Sequence, residues 1–295
     1  FVVDRRMQKR QVALLSARAV PYAPKPNART DALCFAFACL VSLFILGMIA
    51  MCQIAAVVKF WPYDLSLTAK NFAFDLMDGG GWAAYGNSIR LALLTAFFGS
   101  IIVFAGAYMV EKADGFRLGR GIFHFLAMMP MAVPGMVLGL AYIFFFNNPA
   151  NPLNTIYGTM TILVVSTVTH FYTVAHLTAL TALKQMDPEF ESVAASLKQP
   201  FHRLFFRVTV PVCLPAILNI AIYLFVNAMT TVSAVVFLYS TDTKLASVAV
   251  LNMDDAGDIA PAAAMGMMIF YTNIAAKFIH AAVARRLLVR TQAWR

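Results

Sequence analysis

Asp187-Pro-Glu-Phe-Glu-Ser-Val-Ala-Ala-Ser-Leu-Lys-Gln-Pro-Phe-His-Arg-Leu-Phe-Phe-Arg-Val-Thr-Val-Pro-Val-Cys-Leu-Pro215 is the longest polar-studded stretch between apolar blocks in the second half of the chain. Asp187 stands where a helix is capped, and Pro188 suits the first helical position, where its missing N–H would be unpaired anyway. Phe190, Val193, Ala194 and Leu197 then recur at i, i+3, i+4 and i+7, one face of a short helix. Gln199-Pro200 interrupts it, because a residue before proline avoids the α region. Phe201, Leu204, Phe205 and Val208 mark a second amphipathic turn, which Pro211 and Pro215 end as they open the next apolar run. Two short helices between long apolar runs make a compact knob with an apolar face. Such a face suits either a helix lying on lipid or a docking element for another protein.

The runs on either side set the class. Of 295 residues, 61% are hydrophobic and only 13% charged, with a mean hydropathy of +0.73, whereas a soluble domain carries about 25% charged residues. Six apolar runs approach the ~20 residues that a bilayer crossing needs. They are Leu33–Val58, Ser88–Val110, Ile122–Phe146, Tyr157–Leu183, Ala216–Tyr239 and Ile259–Ala284. Backbone groups find no water in the bilayer core, so these runs must be helices, and the expected fold is an all-α, polytopic membrane bundle of six spans. The chain divides into a basic tail or linker (1–32), a six-helix domain (33–284) carrying the loop 184–211, and a C-terminal tail (285–295). Residue 1 is Phe, which suits a fragment, a processed product or the second half of a fused polypeptide.

The net charge of +9 is topological; it does not point to nucleic acid. The tail, the 111–121 loop, the 184–211 loop and the end hold every Lys and Arg except Lys59, Lys70, Arg90, Lys244 and Lys277. Positive-inside bias places both termini and the 184–211 loop in the cytosol. The opposite loops carry Asp64, Asp75, Asp78, Asp242, Asp254, Asp255 and Asp258, which fit a solvated surface or a receptor-docking face.

Within the spans, Pro134 and Gly135 interrupt the third run, where a kinked, close-packing helix suits a translocation path. Asn219, Tyr223, Asn227, Thr230 and Thr231 form a polar stripe on the fifth, fitting interhelical glue or a pore face. His170 and His176 are six apart, too far round a helix for joint metal ligation, and His124, His202 and His280 fall near span ends. Cys34, Cys39, Cys52 and Cys213 have no metal or CxxC spacing and read as inert thiols. No metal site and no cofactor is expected. No phosphate loop, nucleophile elbow or H-E-x-x-H is present. The span interiors hold no Asp or Glu for a proton relay, which disfavours ion-coupled transport or a channel working alone. Energy must then come from a partner.

The stretch 187–215 resembles the cytoplasmic coupling loop of binding-protein-dependent ABC importer permeases. That family's loop reads Glu-Ala-Ala, three residues, Gly, nine residues, then Ile-x-Leu-Pro. Ser192-Val193-Ala194 stand at the triplet, Lys198 at the glycine and Val208-Thr209-Val210-Pro211 at the close, without gaps. Ser192 removes the triplet's acid, leaving Glu191 nearest. Lys198 replaces the glycine, at a cost of roughly 1–2 kcal/mol if the left-handed turn is kept. The run from Pro130 to Tyr142, Asn87-Ser88-Ile89 and Ala107-Tyr108 are similar to the same family. The resemblance implies a type I importer permease subunit of the inner membrane, without enzymatic activity of its own. Its implied partners are cytosolic ATPase subunits, a second permease unit (identical, paralogous or fused) and a periplasmic or extracellular substrate-binding protein. It implies ATPase coupling through Glu189, Phe190, Glu191, Val193, Ala194, Leu197, Lys198 and Phe201. The chain most resembles permeases for 2-aminoethylphosphonate, with iron(III), polyamine and sulfate permeases sharing the general motifs.

Overall fold

The computed structural model describes residues 27–77, 79–113, 115–187 and 189–291. The basic tail up to residue 26, Asp78, Asp114, Pro188 and the last four residues lie outside the described residues.

Helix α1 (Ala28–Val57) begins ahead of the expected Leu33 because Asn27 caps it, its side chain accepting from the Arg29 N–H at 3.2 Å. It is apolar on all sides, and Phe35, Phe37, Leu40 and Phe44 stand open along its length, as lipid allows and water does not. Only its end is packed, with Ala56 fully buried. A short antiparallel hairpin follows, β1 (Val58–Phe60) with β2 (Asp64–Leu67). The Asn71 side-chain amide fastens it by donating to the carbonyls of Ala56 (3.0 Å) and Val58 (2.7 Å).

Helix α2 (Gly81–Lys112) is the axis of the bundle. Its 32 residues make a rod of about 48 Å, longer than the ~30 Å hydrocarbon core. Asp75 Oδ1 accepts from the Trp82 N–H at the first turn, 3.1 Å. At the last turn Arg120 donates to the carbonyls of Val110 (2.8 Å), Ala113 (2.7 Å) and Glu111 (3.3 Å). A cation is favoured there by the helix dipole and by the unpaired terminal carbonyls. Close approach along the rod needs glycine: a Cβ at Gly99 would lie 2.7 Å from Leu224 Cδ1 and 3.1 Å from Val168 Cγ2.

Three of the six expected spans are broken, the third span where a kink was expected. Helices α3 (Arg117–Met128) and α4 (Gly135–Phe146) meet at a 113° bend, so 122–146 is no single rod. Each is about 18 Å long, too short to cross alone. Pro134 supplies the cause, since it lacks an N–H and forces Val133 out of the α region. Helices α5 (Met160–His170) and α6 (Tyr172–Lys184) are bent by 57°. The loop helices α7 (Glu189–Ser196) and α8 (Phe201–Val212) come next, and α8 meets α9 (Leu214–Thr230) at 72°. With α1, α2 and α11 (Ile259–Thr291), the bundle has six spans if each bent pair counts as one.

The fifth span was expected to run to Tyr239, yet α9 stops at Thr230. The chain then winds through 231–245 into α10 (Ala246–Asp255), where a solvated outer loop was expected. Ala234, Val235, Leu238, Leu245 and Ala246 are all buried. Irregular backbone at this depth needs donors and acceptors from elsewhere in the protein, and it has them. Ser166 Oγ donates to the Ala234 carbonyl (2.8 Å), Ser247 Oγ to that of Thr231 (2.6 Å) and Ser240 Oγ to that of Gly158 (2.9 Å). Asn87 Nδ2 donates to the carbonyls of Asp242 (2.8 Å) and Lys244 (3.1 Å), and the Ala246 N–H donates to Ser88 Oγ (2.8 Å).

Two buried clusters follow from this. One joins the N-terminal half of α2 to 231–253 and α11, through Leu91, Leu238, Leu245, Met253 and Met265. The other joins its C-terminal half to α6 and α9, through Val103, Phe104, Ala107, Leu180 and Leu224. A single rod spans both.

Candidate docking groove on the 184–211 loop

The loop forms two helices with a sharp corner. Asp187 Oδ1 accepts from the Glu189 N–H at 2.9 Å, the capping bond expected of it. At the other end of α7, Gln199 N–H bonds the Ala194 carbonyl (2.9 Å) and Lys198 N–H the Ala195 carbonyl (3.0 Å). These two bonds make a Schellman motif, whose C′ residue takes the left-handed region. That residue is Lys198, at φ 49°. The corner therefore sits on Lys198, while Pro200 acts as the N-cap of α8. We expect Lys198→Gly to relieve about 1 kcal/mol of backbone strain and raise hydrogen-exchange protection of the Gln199 amide by about fivefold. Lys198→Val should lower it, and unchanged protection in the glycine variant would show the corner to be unstrained.

Between α7 and α8 lies an open groove of about 410 Å³. Glu189, Phe190, Val193, Ala194 and Leu197 line it from α7, all residues singled out from the sequence. Gln199, Arg203, Leu204, Arg207 and Val208 line the other wall; Leu204 and Val208 belong to the amphipathic turn read from the sequence, whereas Gln199, Arg203 and Arg207 were missed. Arg203 and Arg207 are one turn apart, and Arg203 Nη1 donates to Gln199 Oε1 at 3.2 Å. That i, i+4, i+8 spacing was the available signal, hidden by attention to the apolar pattern. Phe190, Val193 and Leu197 are substantially exposed although apolar. An apolar trough with a carboxylate on one wall and guanidinium groups on the other is shaped for a helix or knob of another protein.

Three of the candidate residues sit outside the groove's lining. Lys198 makes the corner. Phe201 stacks edge-on against Tyr108 of α2 (centroids 5.3 Å) and anchors α8. Glu191 is turned to the bundle, its Oε1 2.7 Å from Lys112 Nζ.

The path candidates divide. Asn219, Tyr223, Asn227 and Thr230 share one face of α9, with Asn219 and Thr230 exposed and the other two half-buried. Asn227 Nδ2 is bonded back to the Tyr223 carbonyl at 2.8 Å. Thr231 lies past the helix end and is buried. Pro134 is exposed at the bend, whereas Gly135 is buried where a Cβ would lie 2.5 Å from Ser233 Oγ. His124 is drawn into the bundle, its Nδ1 3.4 Å from Nε2 of the buried His176. Among the described residues no group of three or more His, Cys, Asp and Glu could hold a metal ion.

This arrangement of helices is found in a solved transporter. The structure described as a bacterial alginate ABC transporter in complex with an alginate pentasaccharide-bound periplasmic protein matches with a TM-score of 0.70 at 15% identity, covering 88% of this chain and 96% of that one. The likeness shows the fold, that of a helical membrane permease. The family described as binding-protein-dependent transport system inner membrane component matches residues 102–289, and the chain belongs to that family. Its relatives include the ferric transport system permease protein FbpB of Actinobacillus pleuropneumoniae, 34% identical over 222 residues, 73% of this chain and 31% of that protein. A putative 2-aminoethylphosphonate transport system permease protein of Salmonella paratyphi A is 23% identical over 221 residues, 74% of this chain and 80% of that protein. The chain thus spans under a third of the length of the ferric relative.

Proposed function

We propose that this chain forms a membrane-spanning unit of an ATP-driven importer, that its 184–211 loop seats a cytosolic ATPase, and that the imported solute is ferric iron. The observation that carries the docking role is the exposed apolar groove at the loop where the family motif falls. Phe190, Val193 and Leu197 would each gain roughly 0.5–2 kcal/mol on covering the part of each that is still exposed, and Arg203 and Arg207 favour an acidic rim on the partner. ATP binding draws the ATPases together, the two loop helices move as a unit, and a pair of permease units turns its cavity between the two faces of the membrane. Both termini are cytosolic in this reading, and a soluble receptor delivers the solute on the other side.

The substrate follows from relatives. The sequence alone favoured 2-aminoethylphosphonate, but identity to the ferric permease is 34% against 23% to the phosphonate permease. That difference favours iron. The phosphonate reading keeps one support, a match over most of the relative's own length.

The test is ATPase stimulation in proteoliposomes holding the permease pair and its ATPases, with receptor loaded with ferric iron, 2-aminoethylphosphonate or spermidine. Stimulation by the ferric receptor is expected. Stimulation by the phosphonate receptor alone would reassign the substrate. Solute uptake driven by a gradient without any ATPase would replace the importer with a secondary transporter.

A further inference from the structure

The groove explains how α7 could be held by a partner; it does not explain how a push on α7 enters the bundle. None of the described residues of α7 is buried, so packing alone gives it a weak hold. The ion pair between Lys112 Nζ and Glu191 Oε1, at 2.7 Å, ties it to the last turn of α2. Lys112 is not a surface lysine: its side chain is only 10% exposed. An ammonium so shielded from water interacts more strongly with its carboxylate than an exposed pair does. Glu191 also sits about a third of a turn round α7 from the groove residues, so it can hold Lys112 while Phe190, Val193 and Ala194 face outward.

The receiving end is built to stay rigid. Arg120 caps the three carbonyls around Lys112. Tyr108, one turn earlier, packs on Phe201 and Phe205 of α8. The other end of the same helix holds the irregular segment 240–246 through Asn87 and Ser88. We propose that Lys112–Glu191 is a strut that passes displacement of the docking loop into α2, and through it to the opposite end of the bundle. Glu191 is then a positioning residue and not a contact of the ATPase. The inference rests on the importer reading given above.

The test uses the assembled permease–ATPase complex in liposomes. Native Cys34, Cys39, Cys52 and Cys213 are replaced by alanine, and a single cysteine at Asn227 reports the change made by ATP in labelling by a water-soluble maleimide. In K112E and in E191K the ATP-dependent change should fall by about tenfold while the ATPase still co-purifies and hydrolyses ATP. The double variant K112E/E191K, with the pair reversed, should regain it to within about threefold, which is the signature of direct coupling in a double-mutant cycle. Normal response in both single variants, or a double variant no better than the worse single one, overturns the strut. Loss of ATPase binding in E191K that K112E does not repair would make Glu191 a docking contact instead. Absence of any ATP response in the unmutated pair would overturn the importer reading and take the strut with it.

Discussion

Ala194→Arg is expected to lower affinity for the ATPase by about five- to 150-fold and to leave membrane insertion unchanged. Ala194 is half-buried in the docking groove, between Phe190 and Leu197. Its methyl group leaves the room that a partner side chain would take. An arginine there fills that room, and overfilling a packed contact costs roughly 1–3 kcal/mol, which is the stated range in affinity. It also adds a third guanidinium to a groove that already holds Arg203 and Arg207, which repels any positive group on the partner. The α7 helix itself should survive, because arginine is a good helix former and the position opens to solvent. Ala195→Arg is the control: it makes the same chemical change on an exposed position that does not line the groove, so near-normal binding is expected. The measurement is co-purification of the ATPase, followed by titration in nanodiscs. Normal affinity in Ala194→Arg would remove the groove as the docking site.

The loop was legible because its information is local. Caps, a period of 3.6 and a motif of fixed spacing lie within 29 residues, and the structure returned the Asp187 cap and the groove-facing side of α7 as read. Lys198 marks the limit of that reading. A lysine at a left-handed corner contradicts local preference, so the sequence left open whether Lys198 keeps the turn or Pro200 makes the break. The Schellman bonds to Ala194 and Ala195 show the corner kept in place. Two backbone bonds that end a helix outweigh a penalty of about 1–2 kcal/mol on one residue.

The interior was less legible, for a different reason. In the run 216–239, composition says only that the segment is apolar. A helix and a buried irregular segment have the same hydropathy. What separates them is whether distant polar groups arrive to satisfy the backbone: here Ser166 and Ser247 reach the carbonyls of Ala234 and Thr231, and just past the run Asn87 and Ser88 hold 242–246. Asn87-Ser88 drew notice only through a family resemblance, with no physical reason attached. Thr231 was placed on the α9 stripe by spacing, which fails once the helix has ended. Lys112 and Arg120 were counted as loop charge, since nothing local tells a cation that orients the chain from one that also caps a helix.

The same long-range bonding makes Asn87 a point where one substitution should release a whole segment. Asn87→Leu keeps the branched shape and heavy-atom count and removes both donors, leaving the carbonyls of Asp242 and Lys244 unpaired beside a side chain only 8% exposed. A shielded acceptor left without a partner costs about 1–3 kcal/mol, and the half-buried Lys244 carbonyl bears more of that loss than the exposed Asp242. A cost near 2 kcal/mol raises local opening about thirtyfold. Ser88 still holds the Ala246 N–H, and Leu245 and Ala246 remain buried, so the rest of the bundle should stay folded while 240–246 loosens. Hydrogen exchange of peptides covering this segment, in nanodiscs, reads the effect directly. Protection in 240–246 should fall about thirtyfold while that in α2 and α6 persists. Asn87→Gln, which keeps an amide on a longer stem, should fall between the two. Exchange in Asn87→Leu at the parent's rate would mean that the two carbonyls are satisfied some other way, and the N-terminal end of α2 would then hold this segment by apolar packing and the Ser88 bond.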